Sequence, residues 1–371
     1  MWGMTMPARE EDDALEESIR PLVTRHVFID TQTYREVEFD TRHPTITALF
    51  GHIGTDTLRL HTTDITLSEC LRHVGALTEG LARDLGKTAG LATKWRGRIP
   101  AHAQEMPKVP TGIDHSAWSK TYFSAFRTAL NTHGAREHAA ASQDPVPIFR
   151  AYFDRHPPFD EKKKPKEFPD AFVIAALVNW CEDNDTSMYV VTRDGGMRRA
   201  ALASGRLVPL ETLAELLSSA TREHSPDVEA AVDLVVGAST FAGELAGLVD
   251  EHLGDVGIVY YGDLADGDIE SAQAAGDAKE IGWTVISAAA NRFGVIVDFV
   301  QPILAQVDFE DRELAFYDKE VDSYFGAESA TAELEADVEV RMFVEFTASG
   351  EVVRSEMLGG DLDFHDPTGP Y

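Results

Sequence analysis

Short apolar runs that alternate with helical segments constrain the fold of residues 26–220 most strongly. The runs lie at 26–30, 58–63, 187–192 and 206–209, and helical patterns fill most of the chain between them. Strands that alternate with helices form a parallel sheet with both faces covered. We therefore predict an α/β domain here. It is preceded by an acidic leader, residues 1–25, and contains a long insertion at about 76–160.

A different pattern begins near residue 221. A helical stretch at 226–253 is followed by strand-like runs at 256–261, 283–288, 294–300, 333–347 and 352–357. In the fourth run, apolar residues alternate with mostly charged ones, which is typical of an antiparallel strand with one solvated face. We therefore predict that residues 221–371 form a separate α+β domain with an antiparallel sheet.

Charge is distributed unevenly along the chain. The net charge is −30, and residues 222–371 carry 33 acidic against 7 basic side chains. Residues 72–166, in contrast, carry 16 basic against 9 acidic side chains. The local balance therefore allows nucleic-acid binding in the first half. The acidic half has three interpretations: solubility alone, docking of a basic protein partner, or intramolecular docking on the basic insertion.

Several classes of protein are excluded by composition. The hydrophobic fraction of 43% is globular, no apolar run reaches about 18 residues, and the N-terminus has no signal-like apolar stretch. Cys70 and Cys181 are too few for a disulfide scaffold. We expect a cytoplasmic protein with no membrane partner and with an oligomeric state that the sequence leaves open.

Four acidic residues lie where a parallel sheet builds its ligand site. Asp30 ends the first run, Asp194 follows the third, and Glu69 and Asp170 lie near the starts of helices. Ligands bind outside the carboxyl ends of such strands. Clustered carboxylates suit Mg²⁺ or Mn²⁺, and two such ions can activate a water and stabilise the leaving oxygen of a phosphodiester.

Each of these acids also has an ordinary structural interpretation. Asp170 suits a helix cap, Asp194 suits a turn with Gly195 and Gly196, and Glu69 suits a solvated helix face. Asp30 is the hardest to explain in this way, because a carboxylate that ends a buried strand is costly without a partner. The residues alone leave both interpretations open.

The order of four segments resembles the PIN nuclease domain, in the branch with a long central insertion. The matching segments are Phe28-Ile-Asp30-Thr31, Ile65-Thr-Leu-Ser-Glu69, Glu167-Phe-Pro-Asp170-Ala-Phe172 and Val190-Val-Thr192-Arg-Asp194. The resemblance covers residues 26–215 and implies a three-layer α/β/α fold with a helical insertion. One departure is Gly195-Gly196 after Asp194, where the family often has bulkier residues.

The resemblance also implies an activity, which is metal-dependent endonuclease cleavage, mostly of RNA. Asp30, Glu69, Asp170 and Asp194 would be the catalytic and metal-ligating set, with Mg²⁺ or Mn²⁺ as cofactor. Thr192 and Glu167 would be accessory residues. Similar bacterial proteins commonly serve as toxins or defence effectors. Two alternatives remain: a non-catalytic PIN-like binding or regulatory module, and a nuclease that acts on structured or single-stranded DNA.

Substrate binding is predicted for a basic run beside Asp170. The run comprises Lys162, Lys163, Lys164 and Lys166, and its other interpretation is a solvated loop. The insertion also mixes basic residues with aromatics, which either stack on unpaired bases or form the core of the insertion.

Overall fold

The computed structural model describes residues 21–96, 98, 112, 114–159, 167–289, 291–312, 315–318, 323–326 and 328–366. Most of the predicted acidic leader lies outside these residues. The chain divides into two compact units, one of which is Pro21–Leu216, while the other takes in Leu217–Tyr371. Each unit is described by itself.

A five-stranded parallel sheet forms the centre of the first unit. Its strands are β1 His26–Ile29, β2 Arg59–Thr63, β3 Arg136–His138, β4 Met188–Val191 and β5 Leu207–Leu210. They pair in the order β3-β2-β1-β4-β5, and every pair is parallel. The predicted parallel sheet is confirmed. The insertion is not wholly helical, however, because β3 lies within it and adds an edge strand.

Eight helices belong to this part of the chain as described. Their bounds are α1 Thr31–Glu36, α2 Pro44–Gly54, α3 Asp64–Arg96, α4 His115–Thr132, α5 Pro145–Phe153, α6 Phe168–Asp183, α7 Gly195–Ser204 and α8 Leu213–His224. The second part of α3, all of α4 and all of α5 lie within the insertion. The boundary between the two units falls inside α8.

Both faces of the sheet are buried, as the apolar strands require. Phe28 and Val190 point to one face, where α6 and α7 contribute Leu177, Ala200 and Ala201 to the same core. The intervening residues Val27, Ile29 and Leu60 are at most 2% exposed on the opposite face. The unit is therefore a three-layer α/β/α structure.

Three histidines form a hydrogen-bonded row across three neighbouring strands. His61 on β2 lies between His26 on β1, at 2.9 Å, and His138 on β3, at 2.8 Å, measured between ring nitrogens. Trp180 of α6 packs against all three imidazoles. Burial lowers the pKa of His61 to about 3 and that of His138 to about 4, so the row is neutral. The sequence spacing of the histidines gave no sign of this arrangement.

Nine strands and two helices are described in the second unit. The helices are α9 Val228–Val236 and α10 Phe241–His252. The strands are β6 Ile258–Tyr261, β7 Asp268–Ala274, β8 Lys279–Ala289, β9 Arg292–Asp311, β10 Phe316–Asp318, β11 Ser323–Phe325, β12 Glu328–Thr347, β13 Val352–Met357 and β14 Leu362–His365. The main sheet runs β13-β12-β9-β7, with β8 also paired to β9.

An antiparallel sheet dominates this unit, as predicted. β9 and β12 pair along 20 residues, and their inward side chains form one core with Val232, Leu245 and Val249 of the two helices. The other face of β12 is charged and exposed from Glu333 to Arg341. Phe343 belongs to the solvated side by its alternation but is only 6% exposed, and the guanidinium of Arg354 lies 5.7 Å from its ring centre.

Within the described residues, no single helix is long and apolar enough to cross a membrane. The consecutive pair Val228–Val236 and Phe241–His252 meets the length and composition criteria only when taken together, and it bends by 81°.

Candidate metal and catalytic site

Asp30 lies at the carboxyl end of the central strand β1 and caps helix α1. Its Oδ1 accepts a hydrogen bond from the Thr31 N–H at 2.7 Å, and its Oδ2 accepts one from the Thr192 hydroxyl at 2.8 Å. Burial raises the pKa of the Asp30 carboxyl to about 6, against these two bonds, and the charges of Glu69 and Asp194 add to the rise.

Asp194 follows the neighbouring strand β4 and caps helix α7. Its Oδ1 accepts a hydrogen bond from the Met197 N–H at 2.8 Å, and its own N–H donates to the Thr192 hydroxyl at 3.1 Å. Thr192 therefore connects Asp30 and Asp194. The predicted turn at Gly195-Gly196 is instead the first turn of α7.

Gly196 leaves space for the carboxylates. A Cβ atom at this position would lie 3.1 Å from the Asp194 Oδ1 atom and 3.4 Å from the Glu167 Oε2 atom. The first distance is shorter than an ordinary van der Waals contact, and the second is at its lower limit. The departure from bulkier residues after Asp194 therefore agrees with the crowding of acids around this helix start.

Glu167, Asp170 and Asp194 form a tight carboxylate cluster. One oxygen from each lies within 4.8 Å of the others, and Glu167 is buried. Burial raises the pKa of Asp170. A hydrogen bond with Glu167 and the charges of Asp30, Glu167 and Asp194 raise it further. Glu167 was predicted only as an accessory acid, yet its carboxylate is one of the three that lie closest together.

Glu69 lies one turn into α3 and is held by Thr31. The Thr31 hydroxyl donates a hydrogen bond to the Glu69 Oε2 atom at 2.9 Å. Because Thr31 follows Asp30 directly, this bond ties the second acid to the first. Thr31 belongs to the segment that suggested the resemblance, but nothing in the sequence indicated its contact with Glu69.

All four predicted acids, together with Glu167 and Thr192, thus lie in one hydrogen-bonded and electrostatic group. The assignment of catalytic and metal-binding roles to them remains a prediction. Lys162, Lys163, Lys164 and Lys166 lie outside the described residues, so their role in substrate binding also stays a prediction. The carboxylate oxygens are of the type that Mg²⁺ and Mn²⁺ prefer.

Aromatic residues of the insertion divide between core and surface. Phe126 of α4 is 2% exposed and contacts the rings of Tyr34 and Phe39. Others are substantially exposed, namely Trp95, Trp118, Tyr122, Phe149, Tyr152 and Phe153. Core packing therefore accounts for only some of these aromatic residues.

Comparison with known proteins agrees with this geometry. A family model described as "PIN domain" matches residues 27–197, a range that includes the sheet edge with all of the acids above. No curated protein and no solved structure matches the chain. PIN domains are generally nucleases. Residues 27–197 therefore form a PIN-like domain.

Proposed function

We propose that this protein is a Mg²⁺- or Mn²⁺-dependent endonuclease that hydrolyses phosphodiester bonds, with RNA as its substrate. The observation that carries the proposal is the cluster of Glu167, Asp170 and Asp194, whose oxygens approach within 4.8 Å, with Asp30 joined to Asp194 through Thr192. The cluster lies inside the PIN domain, at the sheet edge where α/β proteins bind ligands.

The donor set suits a hard divalent cation. Oxygens that bind Mg²⁺ lie about 2.1 Å from it, so opposite ligands are about 4 Å apart, close to the spacing of the cluster. Burial, together with the charges of neighbouring acids, raises the pKa values of Asp30 and Asp170, and a divalent cation would offset the cost of holding these carboxylates ionised. Glu167, Asp170, Asp194 and Asp30 would hold the ion.

The residues around the cluster position these carboxylates. Thr192 donates to Asp30 and accepts from the backbone of Asp194, which fixes two acids relative to each other. Thr31 orients Glu69 in the same way. A bound divalent ion supplies activated water and neutralises negative charge at the phosphate. The N-terminus of α7 also directs a positive dipole end at this site.

The alternatives are a non-catalytic binding module and a nuclease for DNA. We also propose that the protein acts in the cytoplasm as a toxin or defence effector. Induced expression of the protein in bacteria should therefore arrest their growth.

One assay separates these functions. Labelled RNA and labelled single-stranded or structured DNA are incubated with the full chain, with Mn²⁺ and with a chelator. Cleavage of RNA that is lost with chelator supports the proposal, whereas preferential cleavage of DNA supports the second alternative. Binding of nucleic acid without any cleavage favours the non-catalytic module.

A further inference from the structure

Five aromatic side chains form a cluster between α5 and the start of α6. The aromatic cluster consists of Phe149, Tyr152, Phe153, Phe159 and Phe168. Phe168 contacts three of the others, with ring-centre distances of 5.0 Å to Phe159, 5.1 Å to Tyr152 and 5.2 Å to Phe149. Tyr152 also contacts Phe153 at 5.4 Å. These rings are therefore continuous from one end of the cluster to the other.

The inner end of the aromatic cluster adjoins the carboxylates. Phe168 directly follows Glu167, and Phe159 directly follows Pro158. A Cβ atom built on Gly196 would lie 3.5 Å from the Pro158 carbonyl oxygen and 3.4 Å from the Glu167 Oε2 atom. The acidic site therefore meets, at Gly196, the segment of chain that leads into the aromatic cluster.

The outer end of the aromatic cluster is open to solvent. Phe153 is 75% exposed and Phe149 is 47% exposed, whereas Phe159 is only 6% exposed. Burying Phe159 and Phe168 explains the inner rings as ordinary core. It does not explain why two phenyl groups remain uncovered on the same side of α5.

Charged groups of both signs lie beside the exposed rings, because the exposed Asp154 directly follows Phe153. Arg150 follows Phe149 on α5, Arg155 lies two residues after Phe153, and both are exposed. Within the described residues, no carboxylate forms an ion pair with either arginine. Two arginines against one carboxylate leave an excess of positive charge beside this exposed aromatic surface, which suits a ligand that is both flat and negatively charged.

We propose that Phe149 and Phe153 form a stacking platform for unpaired nucleobases of a strand whose backbone reaches the carboxylate cluster. The identity of the ligand as nucleic acid rests on the proposed function. Stacking on an aromatic ring needs a free base face, so the platform accepts single strands and rejects paired ones. Every base has such a face, and the platform therefore tolerates any base sequence.

The test measures affinity separately from cleavage. The full chain carries Asp194→Asn to prevent turnover, and dissociation constants are measured in Mg²⁺ buffer by fluorescence anisotropy. The probes are a single-stranded RNA of about ten nucleotides, its duplex, and an abasic strand of equal length. Phe153→Leu keeps an apolar group without a ring face, and Phe153→Trp keeps the ring. Trp95→Leu is the matched control, because Trp95 is an exposed aromatic on another helix.

Phe153→Leu should weaken binding of the single strand by about tenfold and leave binding of the abasic strand unchanged. Phe153→Trp and Trp95→Leu should keep the parent affinity. Equal weakening of both strands by Phe153→Leu, full affinity of Phe153→Leu for the single strand, or no binding of the single strand by the parent would each overturn the platform. Full affinity of the Leu variant would assign the apolar surface to a protein partner.

The nuclease proposal is judged independently, by cleavage with Asp194 intact. A chain that binds through Phe153 but does not cleave keeps the platform and contradicts the nuclease. A chain that cleaves normally but has no preference for a ring at position 153 contradicts only the platform.

Discussion

The Asp30 carboxyl is retained at an energetic cost in the metal-free protein. It is mostly buried at the end of β1, and its pKa of about 6 lies above the ordinary value of 3.8. A raised pKa in the folded state stabilises the fold most below about pH 4, and that contribution is lost as the pH rises through 6. A cation in the site would remove the penalty by neutralising the charge.

Replacing Asp30 by Asn should therefore stabilise the metal-free protein at pH 8. The expected gain in the free energy of unfolding is about 3 kcal/mol, from a shift of roughly two pKa units. The gain should shrink as the pH falls through 6 and be absent near pH 4. Urea denaturation with a chelator at several pH values measures it. A gain that stays constant with pH, or a loss at pH 8, would show that Asp30 is not strained by its charge.

For the individual site residues, the positions of the acids could be predicted from the sequence, but the contacts between them could not. Asp30 and Asp194 follow strands, and strand ends of a parallel sheet share one edge, so their approach follows from topology. The bond from Thr31 to Glu69 depends on how α1 and α3 are rotated toward each other, which periodicity does not specify. Likewise, the role of Glu167 depends on the path of the chain before α6.

Strands with strong apolar patterns were predictable, whereas β3 was not. Arg136-Glu137-His138 has no apolar side chain, yet it pairs with β2 through residues 61–63. Its place is explained by His138, which joins the histidine row beneath Trp180. Tertiary contact, rather than local propensity, decides the conformation of such a short edge strand.

The neutral histidine row should make the first unit sensitive to acid. Burial lowers the pKa values of His61, His138 and His26, and the charges of Arg59 and Arg136 lower some of them further. Below about pH 6.5 the histidines of the unfolded chain take up protons, whereas those of the folded row stay neutral. The contribution of the row to the free energy of unfolding is therefore fully present above that pH and is lost toward pH 4.

His61→Leu tests this dependence, with exposed His115→Leu as the control. Between pH 7 and pH 5, the free energy of unfolding of the wild type should fall by up to about 1.4 kcal/mol per pH unit for each neutral histidine. His61→Leu should show a shallower fall and His115→Leu the wild-type fall. The slopes are compared because His61→Leu also changes packing. Parallel slopes for all three proteins would contradict a neutral row.

At the level of the whole molecule, each unit has its own core. The first is organised around the parallel sheet, and the second around the paired strands β9 and β12 with α9 and α10. The separation was visible in the sequence because the hydrophobic period and the charge change together near residue 221. The parallel pairing of β6 with β14 could not be predicted from the sequence, because both strands are short and far apart in the chain.

Binding of Mn²⁺ should stabilise the first unit alone. A ligand stabilises only the folded state that binds it, and all of the candidate ligands lie within residues 21–216. Hydrogen exchange with and without Mn²⁺ should therefore show increased protection around residues 30, 69, 170 and 194, and no change in residues 217–366. Increased protection confined to the acidic second unit would contradict the assignment of the cation site to residues 21–216.

Metal-dependent cleavage by the carboxylate cluster can be tested with one pair of variants at two helix caps. Asp194 and Asp114 both cap helices, with Oδ1 accepting a backbone N–H bond at 2.8 Å and 3.0 Å respectively. Asn is an equally good cap, so Asp→Asn at either position preserves the helix. Only Asp194 belongs to the cluster.

In an RNA cleavage assay with Mn²⁺, Asp194→Asn should reduce the rate at least about a hundredfold, the scale of losing a group that stabilises the transition state. Asp114→Asn should cleave at the wild-type rate, and a chelator should abolish cleavage by both the wild type and Asp114→Asn. Cleavage by Asp194→Asn at the wild-type rate would contradict a catalytic role for the carboxylate cluster.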